Sequence, residues 1–172
     1  MRTRMMPAAL ALTLALAGAV LAQGWSAFTS KEGKFTVLLP GTPKTEHKTI
    51  PSAVGQLQMN LFTVDKGATA YIVNYTDYPA DKVASSDPKK ILDGALNGQL
   101  NNLKAKASVD KVVTLNGNPG RDVTFAGANN FSGRCKLFMV KNRLYQVLAL
   151  TQNNAAPASD FAKYVDSFSL LK

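Results

Sequence analysis

The connections between apolar runs restrict this chain more than anything else in it. Between Val109 and Thr151 four such runs, Val109 to Leu115, Arg121 to Ala126, Phe131 to Val140 and Leu144 to Thr151, are joined only by Asn116-Gly117-Asn118-Pro119-Gly120, Gly127-Ala128-Asn129-Asn130 and Lys141-Asn142-Arg143. A parallel crossover needs a dozen or more residues. Separators this short, rich in Gly and Asn, allow only tight reversals, so successive strands must pair antiparallel.

The earlier part follows the same rule. Phe35, Val37 and Leu39 alternate with Lys34, Thr36 and Leu38, the period-two pattern of a strand, and Trp25 to Phe28 before the Ser30-Lys31-Glu32-Gly33 turn completes a hairpin. Pro40-Gly41-Thr42-Pro43 ends it, because proline cannot donate to a ladder. Lys44 to Thr49 extends as a polar strand, and Leu57 to Val64 and Ala68 to Thr76 form a second hairpin around Asp65-Lys66-Gly67. If Tyr71, Val73 and Tyr75 share one face, they pack under a helix.

The period changes in the middle. Ile91, Leu92, Ala95, Leu96, Leu100 and Leu103 recur at three- and four-residue spacing, the stripe of an amphipathic helix. Ser86 or Asp87 caps it and Pro88 suits its first position. Lys104 and Lys106 are expected in its last turn, where positive charge suits the dipole, and Gly94 and Gly98 are expected to mark a face pressed close to the sheet. A last helix starts near Pro157 or Ser159 and carries Phe161, Val165 and Phe168 on one side. The order strands, helix, strands, helix makes this an α+β chain, an antiparallel sheet packed by helices in one domain spanning 23–172.

Residues 1–22 stand apart. Arg2 and Arg4 precede an apolar run from Met5 to Leu21 dominated by Ala and Leu, the pattern of a secretory leader cut after Ala22, with Ala19 the second choice. An uncleaved anchor is the alternative, and it needs about 20 apolar residues. Export places the protein outside the cytoplasm, secreted or periplasmic. With the leader's two arginines discounted, the net charge of +9 becomes +7.

Trp25, Glu32-Gly33-Lys34-Phe35-Thr36-Val37, Pro40-Gly41-Thr42-Pro43, Gly117-Asn118-Pro119-Gly120-Arg121, Arg143-Leu144-Tyr145 and the closing Phe161 to Leu171 together resemble small secreted bacterial domains of unknown function. Their order of elements is similar to the PsbP/Mog1-like fold, an α/β/α sandwich. The resemblance implies a mainly non-catalytic role, since known members bind a membrane complex or a small GTPase. It assigns no functional residue to this chain.

The chain has one His and one Cys, which removes an internal disulfide, the usual Cys/His zinc sites and most nucleophilic triads. His47 lies among Lys44, Glu46 and Lys48 and reads as a solvated side chain. Neither a Gly-x-Ser-x-Gly elbow nor a Walker-type phosphate loop is present. No cofactor is implied. Cys135 shares a strand face with Phe131, Leu137 and Met139 and reads as a small core residue, the alternative being a reactive or intermolecularly paired thiol.

Binding remains. Arg134 and Lys136 point away from Cys135, Lys141 and Arg143 occupy the adjoining turn, and Arg121 comes near if its strand is a neighbour. These five would form a patch that attracts an anionic envelope component or protein; solvated, aggregation-resisting surface lysines are the plain alternative. Export and the lack of a nucleic-acid motif argue against nucleic acid. The leading expectation is an exported, non-catalytic accessory domain. The others are a carrier of a small apolar or amphipathic ligand, which requires an enclosed cavity of about 300 Å³ or more, and an unrecognised hydrolase.

Overall fold

The computed structural model describes residues 24–172, so the leader assigned to 1–22 lies outside the described residues. The strands and helices run β1 (Ser26–Ser30), β2 (Phe35–Leu39), β3 (Lys44–Ser52), β4 (Gly55–Asp65), β5 (Thr69–Asp77), α1 (Ala80–Ala84), α2 (Pro88–Leu103), β6 (Ala105–Leu115), β7 (Asn118–Gly127), β8 (Ser132–Val140), β9 (Arg143–Thr151), α3 (Ala158–Asp166) and β10 (Ser169–Leu170). Each reversal expected from a short separator is a hairpin. β6–β7, β7–β8 and β8–β9 all pair antiparallel, as do β3–β4 and β4–β5.

Tertiary structure adds the order of the strands. The large sheet runs β3-β4-β5-β9-β8-β7-β6, so β5 lies beside β9, with Thr69 opposite Thr151 and Tyr75 opposite Tyr145. After β5 the chain must therefore cross four strand spacings, about 19 Å, to begin β6 at the far edge. The 16 residues of α2 span about 24 Å and make that crossing. The three later hairpins then return the chain to β5.

The two faces of the sheet carry separate cores. On one, α2 buries Leu92, Leu96 and Leu100 against Val123, Phe125, Cys135, Leu137 and Met139. On the other, α3 and the second sheet cover Tyr71, Val73, Tyr75, Phe138, Tyr145 and Val147. This second sheet, in the order β1-β2-β10, was not expected from the sequence. Two-residue β10 is too short to show a period and is defined by pairing with Thr36 and Phe35 of β2. Tyr71 does lie under a helix, edge-on to the fully buried Tyr164 of α3 at 5.3 Å between ring centres, whereas Tyr75 lies against Phe35 of the small sheet at 6.5 Å.

Two details of α2 differ from expectation. Asp87 caps it, its Oδ1 accepting from the Lys89 amide at 2.9 Å, and Pro88 opens it. The helix stops at Leu103, however, because Lys104 takes a left-handed conformation (φ 50°) that turns the chain straight into β6. Lys104 is thus the cap and Lys106 lies in a strand; neither sits in the last turn. Gly94 and Gly98 also face open space, with nothing within 4 Å of where a Cβ would stand.

The close approach occurs instead in β8. A Cβ on Gly133 would lie 2.4 Å from both the Ala149 carbonyl oxygen and the Phe125 ring. Opposite outcomes follow for the same substitution. Gly94→Ala should stabilise by about 0.5–1 kcal/mol through helix propensity and the unfolded chain, whereas Gly133→Ala should cost about 1–3 kcal/mol through overpacking. Urea unfolding of the two variants checks both signs.

Candidate functional site

The five basic residues do not form one surface. Arg121 lies opposite Leu137 and so points to the α2 face, while Arg134 and Lys136 point to the α3 face. Lys141 and Arg143 sit at the end of the sheet, in and beside the β8–β9 turn.

Four of the five are occupied by carboxylates. Arg121 holds Asp110 through two nitrogens, with its Nε donating at 2.8 Å, and also donates to Asp93 of α2. Arg134 donates to Asp122 at 2.9 and 2.6 Å and to Asp166 of α3 at 3.2 and 3.1 Å. Lys136 reaches Asp166 at 2.5 Å. Arg143 forms a fork with Asp77, both bonds at 2.6 Å. Two-pronged pairs of this kind are among the stronger protein hydrogen bonds. Each arginine is thereby held in its charged form: hydrogen bonds donated to Asp110, Asp122 and Asp77 raise Arg121, Arg134 and Arg143 respectively above the ordinary arginine value, against the cost of burial.

These pairs fasten layers together. Arg121 ties α2 to β6 and β7, and the Arg134–Lys136–Asp122–Asp166 group ties α3 to β7 and β8. Cross-strand register could have shown the Lys136–Asp122 alignment. The partners on α2 and α3 depend on how the helices are placed.

Lys141 differs from the other four. Together with Lys34 it borders an open cleft of about 380 Å³ that is also lined by Asp77, Asn142, Arg143, Tyr145, Val140, Leu170 and Leu171. The walls are stapled. Arg143 Nη1 donates to the Glu32 carbonyl at 2.9 Å and its guanidinium lies 4.3 Å from the centre of the Tyr75 ring. The Tyr145 hydroxyl donates to the Gly33 carbonyl at 2.7 Å, and Leu171 N–H donates to the Lys34 carbonyl at 2.9 Å. Asn142 and Tyr78 exchange two bonds, at 2.8 and 2.9 Å.

Both rim lysines occupy the left-handed region, Lys34 at φ 54° and Lys141 at φ 55°. That conformation is uncommon outside Gly, Asn and Asp. Both are exposed, and among the described residues neither is paired with a carboxylate. Val140 and Leu170 are half-buried and Leu171 is 37% exposed, so the cleft that the two lysines border also has an apolar part to its lining. Lys34 was missed by sequence reasoning. The alternating pattern put it in the strand after the Gly33 turn, whereas the structure has it in the turn itself, on the same cleft as Lys141.

A second open depression, about 220 Å³, lies between Trp25, Tyr71, Pro157 and Asp160, where Lys163 covers the Trp25 ring at 4.9 Å. Neither depression is the enclosed cavity between sheet and helix that a carrier requires. His47 is exposed on β3, its Nδ1 2.7 Å from Asn60 Oδ1. Cys135 is fully buried, and burial pushes its thiol up to about 12, so it stays protonated and unreactive near neutral pH.

With this geometry in hand, the chain can be set beside known proteins. It resembles the solution structure of cyanobacterial PsbP (CyanoP) from Synechocystis sp. PCC 6803, with a TM-score of 0.57 and 10% identity over 89% of this chain and 96% of that one. The fold is PsbP-like. A protein of unknown function from Pseudomonas aeruginosa, PA94, aligns with a TM-score of 0.43 and 10% identity over 79% of this chain and 88% of that one. No family model matches the chain, and no curated protein does.

The ion pairs yield a pH prediction. Burial alone would raise Asp166, but the Lys136 hydrogen bond and the charges of Lys136 and Arg134 hold it below the usual carboxylate value. Its contribution is complete above about pH 4, near the unfolded-state value, and is lost as pH falls through the lowered folded-state value. Asp166→Asn should therefore be less stable than the parent at neutral pH, by about 0.5 kcal/mol because the carboxylate is partly exposed, with the difference closing in acid. Asp122→Ala, which takes the two-pronged partner from partly buried Arg134 and leaves Asp166 as the one carboxylate for both Arg134 and Lys136, should cost about 1–3 kcal/mol. Urea unfolding between pH 2.5 and 7 measures both.

Proposed function

We propose that this protein is an exported, non-catalytic accessory domain that docks an acidic, partly apolar segment of a protein partner in the Lys34–Lys141 cleft. The observation that carries the reading is the pairing of two exposed ammonium groups, free of carboxylate partners among the described residues, with the apolar lining formed by Val140, Leu170 and Leu171. Arg143, the other cation there, is already committed to Asp77 and the Glu32 carbonyl. It serves as a rigid wall rather than as a contact. An acidic side chain would meet the lysines while a neighbouring apolar side chain covers Leu171.

Export is supported by the leader pattern in residues 1–22. Among the described residues no helix is long and apolar enough to cross a membrane. The PsbP-like architecture accords with an accessory role, although architecture alone does not assign a partner. A short peptide segment suits the cleft better than a lipid, because the depression is shallow and has the volume of only a few side chains.

A labelled decapeptide of alternating Glu and Leu is the probe. Amide shifts on titration should centre on Lys34, Val140 to Asn142 and Leu171, and affinity should fall as salt is raised. Lys34→Gln with Lys141→Gln should weaken binding at least tenfold while leaving stability within about 0.5 kcal/mol. Shifts centred elsewhere, or affinity unchanged in the double variant, would overturn the reading. Preferential binding to phosphatidylglycerol vesicles, lost in the same variant, would replace the peptide by a lipid surface.

A further inference from the structure

β6 is an edge strand of 11 residues that, among the described residues, pairs only with β7. A bulge between Ala107 and Val109 interrupts its start, leaving Val109 to Leu115 as an unbroken run of ladder partners. The run carries two of the exposed large apolar residues, Val109 at 44% and Val112 at 78% exposure. Edges of this kind leave a row of backbone donors and acceptors open for another strand.

We infer that the Val109 to Leu115 segment of β6 pairs antiparallel with the same segment of a second copy, making a two-fold dimer with Val112 on the axis. Symmetry restricts how two such edges can meet. A two-fold that continues the sheet must stand perpendicular to it, so residues of one face meet residues of the same face and a single residue lies opposite itself.

That condition leaves few registers, and charge selects among them. Centring on Asp110 or Lys111 would set like charges directly opposite, which is destabilising in a sheet. Centring on Val112 opposes Val112 with Val112, Lys111 with Val113, Asp110 with Thr114 and Val109 with Leu115. Every residue of the unbroken run then finds a partner, because Val112 is its midpoint. The two exposed valines are covered, one on each face: Val112 follows Arg121 and Leu137 on the α2 side, and Val109 follows Thr124 and Arg134 on the α3 side.

The helices leave room. α2 packs over β6, β7 and β8, so its axis lies near β7. Across the dimer the two α2 axes would be three strand spacings apart, about 14 Å, which exceeds the 8–10 Å of packed helices. α3 lies farther off, over β8, β9 and β2, and on its side Val113 and Leu115 of β6 are already packed against the core. Asp110 is already neutralised by Arg121 and needs no partner from the other copy.

A pair of seven-residue strands is smaller than a standard interface, so dissociation in the micromolar range is expected. Because each copy is basic, raising salt should tighten the dimer by screening repulsion. This salt response is opposite in sign to that of the acidic peptide in the cleft, so the two readings stand or fall separately.

Sedimentation of the purified protein from 1 to 200 μM, with air-oxidised cysteine variants alongside, is the test. The parent should pass from monomer to dimer, and Val112→Lys, at an exposed position that tolerates change, should weaken association at least tenfold. Val112→Cys should form a covalent dimer in air, the two thiols being oxidised by dissolved oxygen to one disulfide, while Thr114→Cys, opposite Asp110, should not. The buried Cys135 stays silent in both. A monomer throughout the range, a dimer untouched by Val112→Lys, or equal linking of the two cysteine variants would overturn the inference.

Discussion

The arrangement of this molecule depends on β5 lying against β9. That contact joins residues as far apart as Thr69 and Thr151, and it brings together two halves that are otherwise built from neighbouring hairpins. The loop it closes is long, but closure cost rises only logarithmically with length. Repayment comes from the sheet's two faces. Once β5 meets β9, Tyr75 and Tyr145 lie side by side beneath α3 and the small sheet, while Ile72 and Leu148 align on the other face.

Phe35 carries the small sheet onto this centre. Its ring packs near Phe62, Tyr75, Tyr145 and Phe168, at centroid distances of 5.8, 6.5, 6.2 and 5.5 Å, so residues from β2, β4, β5, β9 and the segment after α3 share one aromatic cluster. Aromatic pairs add about 0.5–1.5 kcal/mol beyond the area they bury. The same packing sets the cleft. With β2 seated on β9, Gly33 lies in reach of the Tyr145 hydroxyl and Lys34 stands beside the β8–β9 turn.

Charge follows a similar logic. The excess of cations was plain in the composition, and the alternation of Arg134, Cys135 and Lys136 correctly separated an outward face from a buried one. Yet Arg121, Arg134, Lys136 and Arg143 act mainly as cross-links between layers, each held by a carboxylate from another element. Of the five residues expected to form a patch, Lys141 alone is without a carboxylate among the described residues, and Lys34 joins it at the cleft. Surface charge available for recognition is thus what is left after internal pairing, a quantity that a count of Lys and Arg overstates.

Local physics made much of the fold legible. The short Asn- and Gly-rich separators dictated antiparallel hairpins, the Leu92, Leu96 and Leu100 stripe dictated an amphipathic helix, and Asp87-Pro88 marked its start. Cys135 read as core and was. Gly94 and Gly98 misled because a glycine's missing side chain looks the same in sequence whether a neighbour presses on it or water does. β10 left no pattern because two residues have no period. By itself the sequence determined the hairpins, the helices and which side of each strand is apolar, since these depend on residues within a few positions of each other. Tertiary structure alone decided that β5 meets β9, which carboxylate holds each arginine, and that Lys34 stands next to Lys141, because those depend on where layers come to rest once their apolar faces are buried together.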